Sequence, residues 1–112
     1  MIRQSEWKWF GHPAHFIGSR NCRFHLATVI GEHMVSTVGD YYPASLDGPV
    51  DIGCNRKFET MVFALTGTVC ESSDCECELP DINPQELDMR GYQTAGDAAA
   101  GHMAICMEWA TK

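Results

Sequence analysis

Three ionisable residues sit where the surrounding chain is otherwise largely apolar: His25 in CRFHLATVI, Glu59 in KFETMVFALT and His102 in AAAGHMAICMEWA. A polar or charged group in such a setting has to be paired, because burying it alone is costly. Gathered around one pocket, the two imidazoles and the carboxyl would supply a general acid and base, or orient a ligand. Scattered, they would be satisfied polar residues of a core or a sheet edge. Cys22 and Cys106, close in sequence to His25 and His102, raise the further prospect of a thiol–imidazole nucleophile, which no local motif supports.

Two clusters carry metal-ligand chemistry. His12, His15, Cys22 and His25 form one, and Cys70, Cys75 and Cys77 the other. Zinc is the ion such donors suit, yet neither spacing is a standard one. The acidic neighbours Glu71, Asp74, Glu76 and Glu78 disfavour thiolates unless a cation is bound. Ordinary thiols and no cofactor are therefore the expectation. Zinc held by some of His15, Cys22, Cys70, Cys75 and Cys77 is the alternative. The chain has no phosphate-binding glycine loop and no nucleophile elbow.

Charge is distributed unevenly. Residues 1–25 hold Arg3, Lys8, Arg20 and Arg23 against Glu6 alone, so the net charge of −7 conceals a much more acidic remainder. That acidity is densest at Glu71, Asp74, Glu76, Glu78, Asp81, Glu86 and Asp88, with no Lys or Arg between Lys57 and Arg90. Such a run reads as a solvated loop, or as a surface that engages a basic partner. Like-charge repulsion opposes direct DNA binding by this face.

The elements that must position these residues follow from periodicity. A length of 112 residues suits one domain with one core, and 45% apolar against 21% charged residues is a globular balance. Within residues 22–42, two β-rich runs flank Gly31-Glu32, which fits a two-residue type II′ hairpin. That turn sets a register in which Phe24 faces Gly39, Leu26 faces Thr37, Thr28 faces Val35 and Ile30 faces His33. This side reads as core. The other side pairs Arg23 with Asp40, His25 with Val38, Ala27 with Ser36 and Val29 with Met34, a mixed face open to a ligand, a partner or a second copy of the chain. Because Cys22 and His25 differ by an odd number, they point to opposite sides, which weakens the zinc reading.

Residues 57–66 make a second strand, apolar on both sides and hence central in a sheet. Residues 7–16 begin as an edge strand and are cut by Gly11 and Pro13; residues 40–55 are a long connection with at most a short strand near Val50. Pro80 and Pro84 make residues 70–90 an acidic loop. Thr94 to Asp97 has capping-box spacing and opens a helix over 95–110 whose inner face is Ala95, Ala98, Ala99, His102, Ile105, Cys106 and Trp109. The expected architecture is α+β: an antiparallel sheet of about four or five strands with one C-terminal helix packed on a face.

The chain begins without the apolar core of a secretory signal and has no run long enough to span a membrane, so the expectation is a cytoplasmic protein with free thiols. The motifs CRFHLAT, VSTVGDYYP, RKFETMVF and GYQTAGDAAAGHM resemble a group of small bacteriophage-encoded proteins, over most of residues 7–110. That resemblance implies expression in an infected bacterial cell. It also implies, by analogy, a non-enzymatic accessory protein that binds and disables a host protein, including defence complexes of the CRISPR type. Arg23, Asp40, Glu76, Glu78 and Asp81 are the expected binding residues. A metal- or nucleotide-binding protein or a small enzyme, with a pocket around Arg23, His25, Glu59 and His102, is the competing expectation.

Overall fold

The structure is a computed structural model, and it describes residues 1–10, 22–42, 50–52, 56–69 and 80–112. Its strands are β1 (Lys8–Phe10), β2 (Cys22–Ile30), β3 (His33–Tyr41), β4 (Phe58–Val69), β5 (Pro80–Ile82) and β6 (Asp88–Tyr92), and they are followed by α1 (Ala95–Ala110). A 3-10 turn, Gln4–Glu6, precedes β1. All six strands are antiparallel, in the order β1-β2-β3-β4 with β5 and β6 both on β4. The fold is α+β, with α1, the one α-helix among the described residues, packed across β2, β3, β4 and β6.

The β2–β3 hairpin carries the expected register from Phe24↔Gly39 through Ile30↔His33. Gly31 has φ +60°, the sign that the first central position of a II′ turn demands and that glycine adopts without a Cβ clash. The match ends at Asp40, whose φ of +54° takes a non-glycine residue into the left-handed region. Arg23 lies with its guanidinium 3.8 Å from the centre of the Tyr42 ring, and the strand pairing resumes at Cys22↔Tyr41. Beyond the strand end, Tyr41 makes an isolated bridge to Val50, the only trace of the short strand expected there among the described residues.

β4 is central, as its two apolar faces require: one edge pairs with β3 from Phe58↔Gly39 to Ala64↔His33, and the other with β6 from Phe58↔Tyr92 to Val62↔Asp88. It continues through Gly67 to Val69, where β5 joins it. The reading of residues 70–90 as loop is corrected over its second half. Residues 80–92 return along β4 as one edge strand, broken around Pro84, with Asn83 N–H bonded to the Ala64 carbonyl and Leu87 N–H to that of Val62. Proline is tolerated at the first residue of an edge strand because no ladder donor is needed there. β6 shows no apolar alternation because residues 89–91 are exposed; what recruits it is the open edge of β4.

Two clusters flank the sheet. Between sheet and helix lie Trp7, Ile30, Val35, Val62, Ile105, Cys106 and Ala110. On the opposite side Ala27, Val29 and Met34 pack with Phe10, Leu65 and Ile82. Each buried aliphatic side chain contributes about 1.5–3 kcal/mol. Thr94 caps the helix by accepting a hydrogen bond from Asp97 N–H at 3.1 Å. The inward face of α1 is Ala98, His102, Ile105, Cys106 and Ala110; Ala95 and Ala99, expected there, are exposed. Phe58 lies directly over Gly39, where a Cβ would stand 2.1 Å from its ring, and so reaches Phe24 edge-on at 5.2 Å between ring centres.

Candidate functional site

His102 is fully buried, with no exposed surface. Residues that face one another across adjacent strands share a side of the sheet, so Thr28, Thr37 and Thr60 all point toward α1. The helix sets the imidazole among them. Nε2 lies 2.8 Å from Thr28 Oγ1, Nδ1 lies 2.6 Å from Thr37 Oγ1, and Thr37 Oγ1 is 2.5 Å from Thr60 Oγ1. Thr28 also hydrogen-bonds the Cys106 thiol. Trp9, half-exposed on β1, tilts over the ring at 5.6 Å.

A neutral imidazole donates from one nitrogen and accepts at the other, which fixes a consistent direction along this chain. If Nδ1–H donates to Thr37, the Thr37 hydroxyl donates to Thr60, while the Thr28 hydroxyl donates to Nε2 and accepts from the Cys106 S–H. The reverse order satisfies the same five groups. Protonation makes both ring nitrogens donors and places a cation in a cluster of hydroxyls, with no carboxylate among the hydrogen-bonded groups. Burial accordingly lowers the His102 pKa from 6.5 to about 4. Neutral at physiological pH and closed to solvent, this histidine ties the helix to three strands.

His25 and Glu59 lie on the other side of the sheet, in one cross-strand row: His25↔Val38, Val38↔Glu59, Glu59↔Gly91. The expected trio therefore does not converge, because the sheet separates His102 from the other two. Glu59 is paired instead with Arg56, Nη2 to Oε2 at 3.4 Å, and its side chain is 12% exposed. Burial raises the Glu59 carboxyl pKa; Arg56 opposes that rise and Glu86 adds to it. Gly91 makes the pair feasible, since the Arg56 side chain runs where a Cβ at residue 91 would stand, 2.0 Å from its Cδ. His25 Nδ1 and Arg56 Nε are buried without a hydrogen-bond partner among the described residues.

The centre of this second face is not bare surface. Ala27, Met34 and Ser36 have 0%, 1% and 6% of their surface exposed, so the small residues expected to form an open contact area are already covered within one chain. Of the expected binding residues, Arg23 is exposed on β2, Asp40 lines a small cleft with Val50, Lys57 and Phe58, and Asp81 stands on β5. Asp81 Oδ2 accepts from the Thr68 hydroxyl at 2.9 Å, and Thr66 and Thr68 are themselves 2.9 Å apart. Residues 66–69 are all exposed. Glu76 and Glu78 lie outside the described residues.

Among the proposed metal ligands, Cys22 opens β2 and is buried, with a pKa pushed up to about 11, mainly by burial. Cys106 is fully buried and likewise raised to about 11. Both thiols are held protonated, which removes the nucleophile reading from either. His15, Cys70, Cys75 and Cys77 lie outside the described residues, as does His12. Among the described residues no group of three or more His, Cys, Asp or Glu side chains is placed to hold a metal ion. No described helix is long and apolar enough to cross a membrane.

Sequence reasoning missed the partners of His102, although a signal was present. Thr28, Thr37 and Thr60 are three hydroxyls on the face that reads as core, and buried hydroxyls need partners. His102 is the one ionisable imidazole on the inward face of the helix.

No family model, curated protein or solved structure matches this chain.

Proposed function

We propose that the protein acts by binding another protein, a host component with a basic surface, through the acid-rich segment of sequence that joins β4 to β5. The reading also takes up the resemblance to small phage proteins that modulate or inhibit host factors, with no reaction of their own. The observation that carries it is the pairing of Val69 with Pro80. These two residues flank segment 70–79, which holds Glu71, Asp74, Glu76 and Glu78 and no basic residue, and Asp81 follows Pro80 on β5. Opposite charge across an interface speeds encounter and excludes wrong partners more than it adds affinity, so binding should weaken with salt.

The competing reading, a small enzyme or a metal- or nucleotide-binding protein, draws less support because its pocket required His102 beside His25 and Glu59. The test is affinity capture from bacterial lysate at low and at high salt, with the tagged protein and with a variant carrying Glu76→Ala, Glu78→Ala and Asp81→Ala. The expected result is a defined partner retained by the parent at low salt and lost by the folded variant. A partner held equally by the variant, or no specific partner, would overturn the proposal.

A further inference from the structure

β6 lies on β4 along one edge, and among the described residues no strand pairs with its other edge. Its middle residues Met89, Arg90 and Gly91 are exposed. Leu87, just before the strand, is 50% exposed and Met89 39%. A bare edge presents N–H and C=O groups that another strand can complete, and the side chains limit which strand that is. Asp88 and Arg90 point toward α1: Asp88 Oδ2 accepts from Trp109 Nε1 at 3.4 Å, and Arg90 Nη2 donates to Glu108 Oε2 at 2.6 Å. Met89 faces Met61 on the opposite side of the sheet, and a period of two puts Leu87 and Gly91 there with it.

We propose that β6 pairs antiparallel with β6 of a second copy of this chain, about a two-fold axis at Met89. In that register Asp88 of each copy stands opposite Arg90 of the other, whereas a parallel in-register pair sets like charges against each other. Arg90 can hold the added carboxylate, because its contacts to Glu108 and Asp88 both go through Nη2 and the guanidinium carries further donors. On the other side Met89 meets its own copy. Leu87 meets Gly91, where the stem of Arg56 occupies the place of a side chain and offers an apolar surface. Such an interface is isologous, and it uses up the edge it needs. The net charge of −7 on each chain opposes association, but at about 0.15 M salt a Debye length of roughly 8 Å screens that repulsion more than it weakens the paired contacts.

Sedimentation velocity at that salt, from about 1 μM to about 1 mM protein, tests the pairing. The wild type should shift from monomer to dimer as concentration rises. Asp88→Lys leaves the edge with two cations and Arg90→Glu leaves it with two anions, so each folded variant alone should stay monomeric and an equimolar mixture should dimerise. Amide hydrogen exchange on the wild type needs no variant: β6 amides that exchange freely in dilute solution should become protected as the dimer forms. A wild type that stays monomeric, a dimer kept by either variant alone, a mixture of folded variants that does not associate, or β6 exchange that ignores concentration would overturn the proposal.

Discussion

Acid should destabilise this protein through His102 before most of its carboxylates are protonated. In the unfolded chain the imidazole takes up a proton near pH 6.5; in the folded protein burial delays this to about pH 4. Between those values the unfolded state holds one more proton, so stability is complete above pH 6.5 and declines as pH falls toward 4. At about 1.4 kcal/mol per pH unit, the whole interval amounts to about 3 kcal/mol. That is a large share of the roughly 5–15 kcal/mol by which a domain of this kind is stable.

The assay is denaturant unfolding at half-unit steps from pH 7.5 to 4, on the wild type and on His102→Gln. Glu59 acts in the opposite sense, because its raised carboxyl pKa makes protonation favour the folded state. Its contribution is common to both proteins and cancels in their difference. The difference should be largest at pH 7, where the substitution breaks the hydroxyl contacts, and should shrink by up to about 3 kcal/mol as pH approaches 4. Parallel stability curves would refute the reasoning, and so would an NMR titration in which the His102 ring protonates near 6.5 in the folded protein.

Other perturbations test the packing and charge arguments. Gly39→Ala places a methyl 2.1 Å from the Phe58 ring and 2.8 Å from the Lys57 carbonyl oxygen, and should cost about 1–3 kcal/mol, read as a fall in Tm of several degrees. Thr37→Val leaves both His102 Nδ1 and Thr60 without a partner and should cost about 1–3 kcal/mol in denaturant unfolding, whereas Thr66→Val at an exposed site should be close to neutral. Arg56→Gln removes a cation that opposes the desolvation of Glu59 and should raise the Glu59 pKa further, as followed by carboxyl NMR. Alkylation mapped by mass spectrometry at pH 8 should leave Cys22 and Cys106 unmodified in the folded protein and modify both in denaturant.

How much of this was legible in the sequence depended on whether the controlling interactions were local. The hairpin was readable because Gly31-Glu32 sets the turn and a period of two then dictates every facing pair until Asp40 interrupts it. The helix was readable from Thr94 and from its apolar spacing, and its bounds match. β5 and β6 were not. Their residues, PDI and DMRGY, carry two acids, a proline and a glycine, and become strands only because the far edge of β4 is open to pair them. The failure of the His25–Glu59–His102 pocket has the same origin. Register alone puts His25 and Glu59 on one side, but only the packing of α1 decides that His102 is on the other.

That separation bears on function more than any single contact does. Four of the buried or partly buried ionisable groups described are engaged in a way that suppresses chemistry. His102 is neutral and locked between two hydroxyls, Cys22 and Cys106 are held as thiols, and Glu59 has Arg56 drawn across Gly91 to meet it. A catalytic acid or base needs a pKa near working pH and a path to substrate. His102 has neither, and the two thiols are buried and titrate near pH 11. The interior polar groups thus serve to fix the helix on the sheet and to hold the second face together. The acid-rich segment between Val69 and Pro80 is the densest concentration of acidic charge in the sequence. The proposed binding role rests on that acidic segment, which holds no basic residue.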